Sequence, residues 1–208
     1  MLEVLYNDKD IAVVVKPVGV LSEDGEGSLP SLIREALCCK DVYPIHRLDR
    51  EVSGVMVYAL NKKAAAALSR AVTEDALEKV YLAVVHGKPS EESGVFCDLL
   101  FKDSKKNKSY VVSRERKGVR HAELSYETLK SDGEKSLVRV RLRTGRSHQI
   151  RVQFSSRKMP LFGDRRYGGA DSERQIALFS HSLSFPHPNG KIMTFTKNPD
   201  SEIFLSMM

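Results

Sequence analysis

The sequence predicts an α+β domain built on a mixed, mainly antiparallel central sheet with flanking helices. Three observations point there. Short apolar or alternating runs recur along the chain, most of them joined by tight turns; two amphipathic helices are interspersed among them; and no regular β-α-β alternation develops. At 208 residues and 41% hydrophobic content the chain suits one domain, residues 1–208, with a real core.

The elements follow in order. "LEVLYND" (2–8) and "IAVVVKP" (11–17) read as two strands around an Asp8-Lys9-Asp10 turn, the second stopped by Pro17-Val18-Gly19. "SEDGEGS" (22–28) is a polar loop. "SLPSLIREAL" (28–37) carries Leu29, Leu32, Ile33 and Leu37 at helical spacing, with Ser28 as N-cap and Pro30 in the first turn. "SGVMVYAL" (53–60) is a strand, and the alanine-rich "NKKAAAALSRAV" (61–72) a helix capped by Asn61. "LEKVYLAVVHG" (77–87) is a buried strand ended by Gly87-Lys88-Pro89. From about 90 to 120 the chain turns polar and basic, an irregular excursion with short strands at 95–101 and 109–113. "HAELSYETLK" (121–130) and "SLVRVRLRTG" (136–145) alternate as half-buried strands do. Residues 147–157 read as helical, 176–185 and 190–197 as a hairpin around "PHPNG", and 201–208 as a short helix.

Charge is unevenly spread. The net +6 conceals a basic zone: residues 102–120 carry net +6 and residues 139–166 net +8, leaving the remainder at −8. Such a zone suits a polyanionic partner, although a solvated basic face accounts for the composition equally well. Three cysteines without a C-x-x-C argue against a disulfide framework and for a reducing compartment, and a zinc site would need more ligands at suitable spacing. The start lacks a secretory pattern, and the apolar runs are too short to span a bilayer, so a cytoplasmic location without membrane attachment is expected.

Chemistry concentrates in few places. In "PIHRLDREVSG" (44–54), Asp49 follows His46 and Arg47 at the mouth of a strand; alone, it reads equally as a turn residue. In "LRTGRSHQIRVQF" (142–154), Arg146 and Arg151 are five apart and share no helix face closely, so one can face outward while the other reaches inward. An inward guanidinium holds a carboxylate ionised and oriented, which covalent catalysis at carbon requires. "GDRRYGG" (163–169) is too short for a P-loop or dinucleotide fingerprint and reads as a tight loop touching phosphate. Ser-hydrolase and metalloprotease signatures are absent from the sequence.

Taken together, "HRLDREVSG", "EKVYLAVVHG", "LRTGRSHQIRVQF", "MPLFGDRRYGG", "IALFSHSLSFPHPNGK" and the opening "DIAVVVKPVGVLS" resemble, in order, the blocks of the RluA-type pseudouridine synthases. The resemblance implies that family's fold, with a catalytic cleft across the sheet, and cofactor-free, metal-free isomerisation of uridine in structured rRNA or tRNA with base flipping. It makes Asp49 the catalytic aspartate, Arg151 its salt-bridge partner and Tyr81 the residue against the target base. Arg47 enters the RNA stack, while Leu142, Ile150 and Val80 wall the base. Arg146 and His148 face or support RNA, and Lys105, Lys106, Lys108 and Arg165 contact phosphate. His46 supports the Asp49 loop without reacting. Gln153 stands where the family often has His, and Glu51-Val52 replaces its commoner acidic-Thr pair. The implied protein is a monomer with RNA, not DNA, as partner and without an N-terminal S4-type domain. Two alternatives stand beside this: a non-catalytic RNA-binding or RNA-folding module on the same scaffold, and a nucleosidase, which needs a second carboxylate that only Glu51 offers nearby.

Overall fold

The computed structural model describes residues 2–168, 171, 173 and 175–208. The chain divides into two compact units, one formed by residues up to 79 with 179–199, the other by residues 80–178 with 200–208.

In the first unit, β1 (Glu3–Asn7) and β2 (Ile11–Lys16) form a hairpin. Its turn is tied by Asp8, whose Oδ1 accepts from the backbone N–H of Asp10 and Ile11. A helix, α1 (Leu29–Leu37), follows, its Ser28 cap accepting from Ser31 N–H. After a two-residue strand, β3 (Tyr43–Pro44), come β4 (Ser53–Ala59) and α2 (Lys62–Thr73). Asn61 caps α2 as expected, accepting from Ala64 N–H at 2.9 Å. β2 runs antiparallel to β4 with Ile11 opposite Ala59 and Lys16 opposite Gly54. This register brings the loop after β2 beside the loop before β4. On the other side β4 pairs in parallel with β10 (Leu178–Pro186), which forms the final hairpin with β11 (Ile192–Thr196). The core joins Ile11, Val13, Val55, Val57, Leu68, Leu183 and Phe185, nearly all of it inaccessible to water.

In the second unit, β5 (Glu78–His86), β9 (Lys135–Leu142), β8 (Val119–Ser131), β6 (Ser93–Asp103) and β7 (Lys108–Val112) lie side by side, every pairing antiparallel. The strands expected at 95–101 and 109–113 are present as β6 and β7, but the expected irregularity is corrected: β6 runs eleven residues, and Ser93–Phe101 of it pair with β8. Phe96 and Leu100 are buried on one face of β6, while Val95 and Cys97 are exposed on the other. A short helix, α3 (Gln149–Ser156), packs on β6 and β7, where Phe154 meets Phe96 and Tyr126 at ring-centroid distances of 5.0 and 5.8 Å. The terminal helix, α4 (Glu202–Leu205), is shorter than the expected 201–208. The parallel β4–β10 pairing beside the antiparallel ones makes the architecture mixed, as the α+β expectation requires. No helix among the described residues is long and apolar enough to cross a membrane.

Candidate active site

Asp49 sits in the loop between β3 and β4, and the main chain on either side of it is held fast. Leu48 and Val52 are buried and anchor the loop in the core. The Leu48 carbonyl accepts from Ser22 Oγ at 2.9 Å, and the Ser22 carbonyl accepts from the buried Tyr58 hydroxyl at 2.8 Å. The Arg50 carbonyl accepts from Gly19 N–H at 2.8 Å, while Arg50 Nε donates back to the Gly19 carbonyl at 2.8 Å. Val52 N–H closes the turn on the Asp49 carbonyl. Two loops that the β2–β4 register brought together are thereby stitched to each other.

Lys16 completes the stitching. It is wholly buried at the end of β2, and its ammonium donates to the carbonyls of Pro17, Val20 and Arg50 at 2.9, 2.8 and 3.1 Å. Three donors meet three acceptors, the full capacity of an ammonium. Burial pushes its pKa down to about 8, with the Asp49 carboxylate acting in the opposite direction. Nothing in the sequence marks Lys16 as a site residue beyond its place in the "DIAVVVKPVGVLS" block.

Downstream, Gly54 carries φ +122° where β4 passes β10, and a Cβ there would collide with the Ser180 backbone. Only glycine fits that backbone geometry and that approach. His46 also finds its place. Its Nε2 accepts from Val57 N–H at 3.2 Å, and Nδ1 is sealed from solvent with no hydrogen-bond partner among the described residues. Burial drives its pKa to about 3, with Lys79 adding to the shift, so the ring is neutral and structural. The linkage has a definite sign. Below about 6.5 the unfolded chain takes up a proton that the folded ring refuses, so the stability contributed by His46 is full above that pH and drains away toward pH 3. We expect a wild-type slope of up to about 1.4 kcal/mol per pH unit from this residue. It should appear as a fall in urea midpoint from pH 6.5 to 5 that flattens in His46→Gln; equal slopes in both proteins would contradict it.

Arg47 projects into solvent, held by an exposed ion pair with Glu23 at 3.2 Å that contributes little.

In the second unit, α3 begins at His148, whose φ of +55° turns the chain from the "RTGRS" loop into the helix. Gln149 secures that loop: its Oε1 accepts from Thr144 Oγ1 and Arg146 N–H, and its Nε2 donates to the Glu123 carbonyl. Arg146 is exposed, whereas Arg151 is buried on α3, the inward-outward division their spacing suggested. Arg151 makes a bidentate pair with buried Asp164, Nε to Oδ2 and Nη2 to Oδ1, both at 2.8 Å. The Tyr167 ring lies 5.3 Å from the guanidinium centre. Its hydroxyl accepts from Ser109 N–H at 2.7 Å and lies 2.9 Å from His148 Nδ1. Ile150 is buried and Leu142 half-buried. Tyr81, buried on β5, lies opposite Val140.

The "GDRRYGG" loop therefore differs from its reading as a phosphate contact alone. Asp164 and Tyr167 turn inward to hold Arg151, while Arg165, Arg166 and Gly168 are exposed; Gly169 lies outside the described residues. Arg166 Nη1 donates to the carbonyls of Lys106 and Asn107, so this loop and the β6–β7 turn form one basic surface with Lys105 and Lys106 exposed. Lys108 departs from that group: it is half-buried, its ammonium 5.1 Å from the centre of the Tyr167 ring. Gln153 is buried and donates to the Phe96 and Ala122 carbonyls and to Asp98, tying α3 to the sheet.

The first unit thus holds an aspartate loop clamped through its main chain, and the second a buried arginine fixed by a carboxylate and a tyrosine. Residues 10–156 match the RNA pseudouridylate synthase family, and the chain belongs to that family. Among relatives, an RNA pseudouridine synthase of Aquifex aeolicus (strain VF5) is 34% identical over 93% of this chain and 68% of its own length. The ribosomal large subunit pseudouridine synthase D of Borreliella burgdorferi (strain ATCC 35210 / DSM 4680 / CIP 102532 / B31) is 29% identical over 91% of this chain and 62% of its own. The chain thus spans about two thirds of the length of such relatives. The human RNA Pseudouridylate Synthase Domain Containing 1 superposes with a TM-score of 0.83 at 24% identity, covering 96% of this chain and 84% of that one, a likeness of fold.

Proposed function

We propose that this protein converts specific uridines in structured RNA, ribosomal or transfer, to pseudouridine, acting as a monomer. The observation that carries the reading is the clamped Asp49 loop in a chain of this family. Hydrogen bonds fix the carbonyls of Leu48 and Arg50, so the carboxylate between them is presented from a rigid frame.

In the proposed reaction the target base leaves its stack, and Asp49 supplies the carboxylate that releases the C1′–N1 bond. The uracil turns, C5 bonds to C1′, the C5 proton departs and N1 takes up a proton, so atoms balance without a co-reactant. Arg151 orients the reacting groups, itself oriented by Asp164 and Tyr167. Tyr81 lies against the uracil, with Leu142, Ile150 and Val80 as apolar walls that keep the detached base from water. Arg47 exchanges its weak pairing with Glu23 for RNA. His148 and Arg146 support the RNA-facing loop.

The joined basic surface of Lys105, Lys106 and Arg165 supplies phosphate contacts. Replacing all three with Gln should reduce the slope of log K against log salt by about two to three, at roughly 0.7–0.9 per lost phosphate contact. An unchanged slope would place the RNA on another surface. The function itself is tested by mapping pseudouridine across the RNAs of the source organism with the gene deleted and restored. One or more sites should vanish and return, and a map unaffected by deletion would overturn the proposal.

A further inference from the structure

The side chains of Cys97, His121 and Glu123 are given no role in the site above, yet the sheet collects them. In the β6–β8 register Cys97 lies opposite Glu123, and Leu99 lies opposite His121. Side chains alternate between faces along a strand, so all three share one face. It is the face turned away from α3, because the neighbouring Asp98 points the other way to Gln153 and Arg157. Cys97 and His121 are exposed and Glu123 half-buried, and one ligand atom from each lies within 4.8 Å of the other two.

We propose that Cys97, His121 and Glu123 form a binding site for a borderline-soft divalent metal ion, with zinc the best match. Sulfur, imidazole nitrogen and carboxylate oxygen are zinc's three ligand types, and three protein ligands leave a fourth, tetrahedral position for water. Magnesium and calcium demand oxygen shells that this trio does not offer. A thiolate and a carboxylate together match the charge of a divalent cation. At metal–ligand lengths of about 2.0–2.3 Å the donors must close to roughly 3.3–3.7 Å, a small rotation for exposed side chains.

The backbone beneath is already ordered. Glu123 N–H donates to Thr144 Oγ1, the Glu123 carbonyl accepts from Gln149 Nε2 and from Arg143 and Thr144 N–H, and the His121 carbonyl accepts from Arg146 Nε. Metal binding therefore orders only side-chain torsions, and it does so on a strand fastened to the 143–149 loop ahead of α3. Nearby Arg157, a charge that opposes a cation, is paired with Asp98 at 2.9 Å. Sequence spacing hides the site, since only His121 and Glu123 are close in the chain and strand register supplies Cys97.

The test is titration of the untagged, reduced full chain with cobalt(II) as a spectroscopic probe, followed by zinc competition. One equivalent should give a near-ultraviolet thiolate-to-cobalt band that zinc displaces. Cys97→Ser should abolish that band, His121→Ala should weaken binding at least tenfold, and the double variant Cys38→Ser/Cys39→Ser should retain both. Absence of the band in the wild type, or its survival in Cys97→Ser, would overturn the proposal.

Discussion

Asp49→Asn is expected to lower pseudouridine formation by a factor on the order of 10⁴ or more while leaving the fold intact. Asparagine keeps the shape of aspartate and its capacity to accept a hydrogen bond, but it is neither a nucleophile nor a base. The loop itself does not depend on the Asp49 side chain for the bonds described here: Lys16, Gly19 and Ser22 hold it through the carbonyls of Arg50 and Leu48. Thermal unfolding should therefore move by no more than the equivalent of about 1 kcal/mol, the usual range for a partly exposed substitution. Nucleoside analysis of treated RNA by mass spectrometry reads the activity. Asp49→Asn turning over at the wild-type rate would remove Asp49 from the chemistry.

Asp164→Ala should produce the largest loss of stability among the site variants, and a loss of activity with it. Asp164 and Arg151 are both almost wholly buried and share two hydrogen bonds of 2.8 Å. Removing one partner of such a pair strands the other's charge in a poorly solvated place, at a cost of about 3–5 kcal/mol. For a chain of this length that corresponds to a fall in Tm of roughly 6–20 °C. Asp164 Oδ1 also accepts from the N–H groups of Arg166 and Tyr167, so the alanine variant loosens the turn that carries Tyr167. Asp164→Asn preserves those turn acceptors and should fall between alanine and wild type in both Tm and rate. If Asp164→Ala melts with the wild type, the buried pair has been given too large a role.

What the sequence disclosed and what it concealed divide along a physical line. Local signals were legible: the Ser28 and Asn61 caps, the turn at Asp8, and the alternation of 136–145 depend on neighbours a few residues away. So was the split between Arg146 and Arg151, although in the structure Arg146 lies in the loop ahead of α3 and only Arg151 is on the helix. The 90–120 stretch was legible in part: strands are expected at 95–101 and 109–113 and β6 and β7 form there, but the full length of β6 rests on pairing with the distant β8. Lys16 resembles a polar strand end until its acceptors appear, one of them 34 residues away. Asp164 sat inside a recognised block, but its role depends on a partner on α3, and no spacing rule connects a turn to a helix that precedes it. Residues whose work is done through long-range pairing became visible only with the fold.

The central claim, that this chain isomerises uridine in RNA, is tested most directly by tritium release from RNA labelled at uridine C5. Cellular RNA from a strain lacking the gene, treated with the purified protein, should release tritium to water in proportion to the modified sites. The account predicts release by the wild type and background counts with Asp49→Asn; no release by a folded wild-type protein from any RNA fraction would contradict it.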